Sequence, residues 1–389
     1  MVPPASLPAL FLRTEFLRFN KSYEPCSSPI APIVVSCRRN KFPHPGESLH
    51  DLVTFGEAMI RLSPPNFQRL EQATSLDLFI GGGELNVAVA AARLGLKTSW
   101  VSRLPTNPLG KLLENRVRQA GVDASDIVWT DKSRVGLYFL EFGAAPRASS
   151  VLYDRAHSAI SEIKPGEVDW QRVFSGAKWF HVSGVTPALS DSAAAVTLEV
   201  LKAAKKSGLM VSYDLNYRGK LWSPDRAQAV QEPMMEFVDV LITTEEDTNV
   251  VFKIRSEKPA DSNFSTVTAE TYIDIARRLR QKFHFSVVAI TLRENPLVWR
   301  NTWTAIALAG DEVIDDVKYD LEIVDRLGGG DSFCGGFIYG YLAKKSWREA
   351  VRYGNALAAL KHTSPGDFNW SSLAEVESLL KGGSLRVAR

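Results

Sequence analysis

Cysteine is scarce, with Cys26, Cys37 and Cys334 the three in 389 residues, an odd number too small for a disulfide framework. That scarcity points to a reducing compartment. No apolar run approaches the ~20 residues that a helix needs to cross a bilayer, and the hydrophobic stretches are cut by Gly, Pro or charge. The sequence therefore offers no membrane span. Neither sign of charge dominates, with 46 basic and 44 acidic residues. Binding of nucleic acid would need a clustered basic face, whereas Lys202, Lys205 and Lys206, or Arg277, Arg278 and Arg280, fit solvated helix faces. The body has no internal repeat, no low-complexity segment and no Walker A pattern, so P-loop chemistry is not supported.

What is present is 45% hydrophobic and 23% charged, the ordinary proportion for one large α/β domain or one domain with a small appendage. Residues 1–46 differ from the rest. They carry Arg13, Arg18, Lys21, Arg38, Arg39 and Lys41 against Glu15 and Glu24, with scattered Ser and Pro and no periodicity. They read as a disordered organelle transit peptide, with the plastid stroma as the expected destination and the mitochondrion or the cytoplasm as alternatives. Those six basic and two acidic residues hold four net positive charges, so the formal +2 of the chain becomes −2 for residues 47–389. A body of that charge is not a basic nucleic-acid binder.

From Asp51 onward, short β-rich runs alternate with longer amphipathic stretches, which predicts strands at 52–55, 99–102, 179–182, 210–213, 238–242 and 287–291 in a largely parallel sheet. Nearly all end in polar or small residues: Gly56-Glu57, Arg103, Ser183-Gly184, Asp214-Leu215-Asn216, Thr243-Thr244-Glu245 and Arg293-Glu294. Ligands of open α/β sheets bind outside the carboxyl ends of strands, so one cleft is expected along that edge. Helix capping and turn formation are the bland alternatives for the Asp and Asn residues. The stretches 60–80 and 135–153 break the rhythm and read as antiparallel excursions, a small β-sheet lid able to exclude water.

Two glycine clusters carry the chemistry. Asp325-Arg326-Leu327-Gly328-Gly329-Gly330-Asp331 follows a strand-like run and opens a helix-like one at 333–342. Such a junction leaves backbone N–H groups unpaired at the positive end of a helix dipole, where an anion is stabilised. Asp331 could accept the proton of an attacking hydroxyl there, or serve only as an N-cap. The second cluster, Gly81-Gly82-Gly83-Glu84-Leu85-Asn86, enters the Ala-rich helix 87–94. Its glycines would let a polyhydroxy ligand reach backbone amides and Asn86 would offer a donor and an acceptor, although a packed glycine turn reads equally well.

The two clusters in this order, about 245 residues apart, resemble the two signatures of PfkB (ribokinase-family) carbohydrate kinases over residues 51–389. Gly56-Glu57-Ala58-Met59-Ile60-Arg61-Leu62-Ser63-Pro64, Tyr153-Asp154-Arg155-Ala156 and Asp214-Leu215-Asn216-Tyr217-Arg218 look most like the 2-dehydro-3-deoxygluconate (KDG) kinases. The resemblance implies a ribokinase-like three-layer α/β/α fold in which a mostly parallel sheet carries the β-sheet lid. It implies Asp331 as catalytic base, Gly328, Gly329 and Gly330 as anion hole, and sugar contacts at Gly82, Gly83, Asn86, Tyr138, Arg218 and Asp367. Nucleotide contacts fall on Thr291, Arg293 and Asn355, and metal contacts, through water, on Thr244 and Asp247. ATP and Mg²⁺ are the implied cofactors, with room for a monovalent cation, and the implied assembly is a homodimer through the lid.

Arg218 also makes sense on its own, because an acidic sugar needs a cation and a guanidinium pairs two-pronged with a carboxylate; a surface ion pair is its plainer reading. Three positions depart from the family pattern. Pro105-Thr106-Asn107 replaces Gly-x-Asp, Thr244 stands in place of Asn in the metal-linked motif, and Leu140 sits where some KDG kinases carry Arg. The expected reaction is transfer of the ATP γ-phosphoryl group to the primary hydroxyl of a small sugar acid, KDG to its 6-phosphate. A kinase for fructose or another neutral sugar, and a fructokinase-like organelle assembly subunit without turnover, are the alternatives.

Overall fold

The computed structural model describes residues 50–256, 269–297 and 299–382. The transit-peptide reading of residues 1–46, with Cys26 and Cys37, lies outside the described residues. Within them, no helix is long and apolar enough to cross a membrane.

The six runs expected as strands pair side by side as the parallel part of a nine-stranded sheet. In spatial order they are Thr98–Val101, Leu52–Phe55, Trp179–Ser183, Met210–Asp214, Val240–Thr243 and Val287–Leu297. Successive residues point to opposite faces of a strand, and both faces here are apolar. Val53, Phe180, Leu241 and Val288 pack on one side with helices Asp191–Lys206 and Ala269–Phe283. Leu52, Trp179, Val240 and Val287 pack on the other with helices Gly329–Lys344 and Trp347–Lys361. Continuous apolar runs thus give three layers with the sheet in the middle.

The sixth strand departs from expectation. It runs on from residue 291 to Leu297 and folds back antiparallel against Arg300–Ala309, so Arg293 pairs with Trp303 inside a hairpin and does not mark a strand end.

The helix Gly329–Lys344 is apolar nearly all round because it is covered on two sides. A Cβ at Gly335 would stand 2.7 Å from Ala90 Cβ, and one at Gly336 would stand 2.6 Å from the Tyr353 carbonyl oxygen. Absent side chains at these two positions let the helix lie close against both Gly83–Arg93 and Trp347–Lys361, which fixes where its first turn points.

The lid is a separate four-stranded sheet of two hairpins, Met59–Ser63 with Asp77–Gly81 and Gly136–Glu141 with Ser150–Asp154. Each hairpin is antiparallel, as expected, but the two meet through a parallel pairing of Met59–Ser63 with Gly136–Glu141. Between the hairpins the chain passes through two helices, Gly83–Arg93 and Pro108–Gln119, and three strands, Thr98–Val101, Arg103–Pro105 and Val128–Thr130, and that long crossover permits the parallel approach.

Candidate active site

Two helix starts converge beyond the carboxyl edge of the parallel strands. Helix Gly83–Arg93 begins after Gly82, where a Cβ would lie 1.9 Å from the Glu57 carbonyl oxygen. Helix Gly329–Lys344 begins after Gly328, whose φ of 79° is left-handed and whose Cβ would lie 2.2 Å from the Asp367 carbonyl oxygen. Only glycine fits either place. The expected helices at 87–94 and 333–342 therefore start four residues earlier, and Gly329 and Gly330 belong to a first turn whose N–H groups have no partner within the helix.

Asn86 joins the two starts. Its Nδ2 donates to Asp331 Oδ2 at 2.7 Å, and its Oδ1 accepts from the Gly82 N–H at 3.4 Å. Asn86, expected as a sugar contact, is thus spent on orienting Asp331. Over Gly83 the nearest atoms are Asp331 Oδ1 and Ser183 Oγ, each 3.7 Å from where a Cβ would be, with Asn216 Nδ2 at 4.0 Å. A Cβ at Gly83 would therefore stand in ordinary contact with Asp331, Ser183 and Asn216, which the fold brings around this glycine.

Burial raises the pKa of each carboxyl group near this glycine. Burial lifts the Asp331 carboxyl to about 6, against the pull of its Asn86 hydrogen bond and of Arg218. Burial and then the charges of Asp331 and Asp247 push Asp214 well above the usual carboxylate range. Asp247 is raised chiefly by burial, with Arg218 opposing. Glu84 is raised to about 7 by burial although Ser183 and Thr186 donate to its Oε1. Arg218 is exposed beside this group, with its Nη1 on the Tyr217 carbonyl oxygen at 3.3 Å. On the other side of the Gly328 turn, burial and the like charge of Arg293 depress the pKa of Arg326. The cleft is acidic at one end and crowded with guanidinium at the other.

Beneath it lies a buried ionic cluster. Arg61, on a lid strand and wholly buried, pairs with Asp325 Oδ2 at 2.7 Å and Asp367 Oδ2 at 2.9 Å, and its Nε donates to Ser63 Oγ at 2.9 Å. The Tyr138 hydroxyl donates to the other Asp367 oxygen. One guanidinium, with Tyr138 through their shared Asp367, therefore connects both lid hairpins to the turn that carries Gly328, Gly329 and Gly330.

A family model described as pfkB family carbohydrate kinase matches residues 49–372. The chain belongs to that family. It is 38% identical to the 2-dehydro-3-deoxygalactonokinase of Haloferax volcanii, over 87% of this chain and 99% of that protein. The crystal structure of 2-dehydro-3-deoxygluconokinase from Thermotoga maritima superposes with a TM-score of 0.81 at 42% identity, covering 86% of this chain and all of that one. The 2-dehydro-3-deoxygluconokinase of Bacillus subtilis is 29% identical over 82% of this chain and 91% of that protein.

In this pfkB kinase the fold gathers Gly82, Gly83, Asn86, Arg218, Asp247, Gly328, Gly329, Gly330 and Asp331 at one edge. Four expected contacts need correction. Tyr138 and Asp367 are bonded to each other under the cleft, and Asp367 is also held by Arg61, so neither side chain stands open to a sugar. Asn355 is fully buried in its helix and donates to Asp316 Oδ2 at 3.0 Å, so it offers no exposed nucleotide contact. Thr244 caps helix Glu245–Phe252 by accepting the Asp247 N–H at 3.1 Å, the local role its residue type favours. Thr291 and Arg293 lie on the long hairpin strand, with Arg293 exposed and close enough to Asp247, Arg326 and His362 to act on their charge. Among the departures, Asn107 caps helix Pro108–Gln119, and Leu140 is buried on the same lid face as Tyr138. Sequence reasoning missed Glu84, Arg61 and Lys361. Their one signal was a charge at a position where the local pattern faces the core.

Arg61→Met should cost about 3–5 kcal/mol of folding stability, because it leaves two buried carboxylates without their cation. Urea unfolding followed by tryptophan fluorescence measures this, and a loss under about 1 kcal/mol, the range of an exposed pair, would disprove a central role for the cluster.

Proposed function

We propose that this pfkB kinase transfers the ATP γ-phosphoryl group to the primary hydroxyl of a 2-keto-3-deoxy sugar acid, KDG to KDG 6-phosphate. The observation that carries the reading is the placement of Asp331. Its carboxylate is aligned by Asn86 at the first turn of helix Gly329–Lys344, with its Oδ1 3.7 Å from where a Gly83 Cβ would be. The relatives named for 2-dehydro-3-deoxy sugar acids, at 38% and 42% identity over nearly their full lengths, support the substrate class.

The sugar lies over Gly82 and Gly83 with its primary hydroxyl at Asp331, which takes the proton as the hydroxyl attacks. The first-turn N–H groups of Gly329–Asp331 receive the charge that develops on the phosphoryl oxygens, without having to reorganise. Arg293, exposed and near enough to act on Arg326, offers the polyphosphate a cation at the other end of the cleft. Arg218, exposed beside the carboxylates of Asp214, Asp247 and Asp331 and hydrogen-bonded to the Tyr217 carbonyl, takes the sugar carboxylate. Closure of the lid excludes water as a competing acceptor.

Mg²⁺ fits the donors present, because Asp214 and Asp247 are hard oxygen ligands whose raised pKa values express an unmet need for positive charge. No cluster of three ligating side chains occurs among the described residues, so these two would hold the ion through water. When bound, it supplies charge neutralisation at the phosphates. Exposed Leu78, Leu152 and Tyr153 on the lid strands support pairing of two copies through the lid, which the mass of the purified chain in solution would refute if monomeric. The plastid reading rests on the basic, unpatterned residues 1–46 ahead of a family match that starts at residue 49. A fluorescent fusion of the full chain should enter plastids of plant cells and a fusion lacking 1–46 should not; equal distributions would refute it.

Asp331→Asn should lower kcat by ~10²–10⁴-fold with the sugar KM little changed, since the amide keeps the shape but accepts no proton. The working base is the carboxylate, so with a pKa of about 6 the wild-type rate should be flat at neutral pH and fall as pH drops through that value. A coupled ADP-release assay reads both, and near-normal turnover of the variant would remove Asp331 from the mechanism.

Arg218→Met should weaken KDG by roughly 10- to 150-fold, the worth of ~1.5–3 kcal/mol for a hydrogen bond to a charged group. Turnover on fructose should not follow. Equal losses on both sugars would show that Arg218 does not read the carboxylate and would favour a neutral-sugar kinase.

A further inference from the structure

Lys361 ends the helix Trp347–Lys361 and is fully buried, an expensive place for an ammonium group. Its hydrogen-bond partners are backbone oxygens. Nζ lies 3.1 Å from the Ser364 carbonyl and 3.5 Å from the Asp325 carbonyl, and the carboxylates of Asp325 and Asp367 act on it from farther away. With Arg61 it makes two buried cations against two buried carboxylates, a balanced set.

The loops that Lys361 joins are the ones that shape the anion hole. The Val324 and Asp325 N–H groups both donate to the His362 carbonyl, at 2.8 and 3.2 Å, and the Gly366 N–H donates to Asp325 Oδ2 at 3.0 Å. Gly328, at the start of the Asp331 helix, sits directly on this junction. A Cβ there would be 2.2 Å from the Asp367 carbonyl oxygen and 3.5 Å from Lys361 Cε. The lysine stem is thus packed under the turn, and its head is tied to the chain on either side.

We propose that the Lys361 ammonium is a built-in monovalent cation, held by carbonyl oxygens, that sets the 325–330 turn in the shape which aims the first-turn N–H groups of helix Gly329–Lys344. Lys361 is on this account a positioning residue for phosphoryl transfer, and the inference rests on the reading of Gly328–Gly330 as the anion hole. A free potassium or ammonium ion bound by the same oxygens would do the same work. The chain carries its own, so its activity is independent of added monovalent cation.

The test uses the full chain and Lys361→Ala in choline chloride, with KCl or NH₄Cl substituted at constant ionic strength. Wild-type turnover should be indifferent to the cation. The variant should lose roughly 10- to 100-fold in kcat, the scale of a ~1 Å misplacement, with the sugar KM moving less than about threefold. Potassium or ammonium should restore most of that loss saturably. A wild type that needs potassium, a variant as active as wild type in choline, or a loss that neither ion repairs would each overturn the proposal. Should the alanine variant fail to fold, Lys361→Met keeps the stem and should lose kcat without rescue by either ion. Should neither variant fold, the cation response of the wild type decides. If the wild type phosphorylates no sugar acid, the functional reading fails by itself. The present inference is then read from the thermal midpoint of Lys361→Ala, which ammonium should raise while leaving the wild type unchanged, and an unchanged midpoint overturns it.

Discussion

Arg61 is a lid residue whose two carboxylate partners belong to the body, and most of the site's geometry follows from that. Asp325 precedes Gly328, Gly329 and Gly330, and Asp367 lies under both glycine clusters, within 2.5 Å of where a Gly81 side chain would be and touching the position of one at Gly328. The guanidinium sits among apolar lid side chains, its Cζ 4.9 Å from the Phe79 ring centre and 5.3 Å from that of Phe142. In such surroundings an ion pair is strongly directional, and breaking it leaves charges that water cannot reach. The cluster acts as a hinge pin of defined length between lid and sheet.

The cleft above shows the complementary imbalance. Glu84, Asp214, Asp247 and Asp331 gather at one end, and burial is the first cause of each raised pKa, with neighbouring carboxylates adding to it at Asp214. At the other end, burial and then the charge of Arg293 depress the pKa of Arg326. Below the cleft the chain satisfies its own charges, with Arg61 and Lys361 against Asp325 and Asp367. Inside the cleft the acidic and basic groups lie apart, the separation that a cation and a polyanion would complement in phosphoryl transfer.

The parallel strands, the glycine clusters and Asp331 were legible because each is a local pattern. A run of β-branched and apolar residues closed by Gly, Ser or Asp describes a buried parallel strand wherever it occurs, and all six expected runs pair in that way. A glycine triplet before a helical stretch likewise announces an anion-binding start. The roles of Asn86, Tyr138 and Asp367 were less legible. A side chain that orients the base, or one bonded under the floor, has the same sequence signature as one that touches sugar.

By itself, then, the sequence determined the parallel strands, their polar carboxyl ends and the two glycine-led helix starts, since these depend on periodicity and on backbone freedom within a few residues. Tertiary structure alone decided which charges are spent inside the protein and which remain for ligands. Arg61 finds partners 264 and 306 positions away, Lys361 finds carbonyl oxygens on two loops, and Asn355 turns inward to Asp316. A lysine at the end of an alanine-rich helix reads as solvated until the fold closes two loops over it. Burial is a property of the assembled chain, and the electrostatic worth of a charge follows from burial.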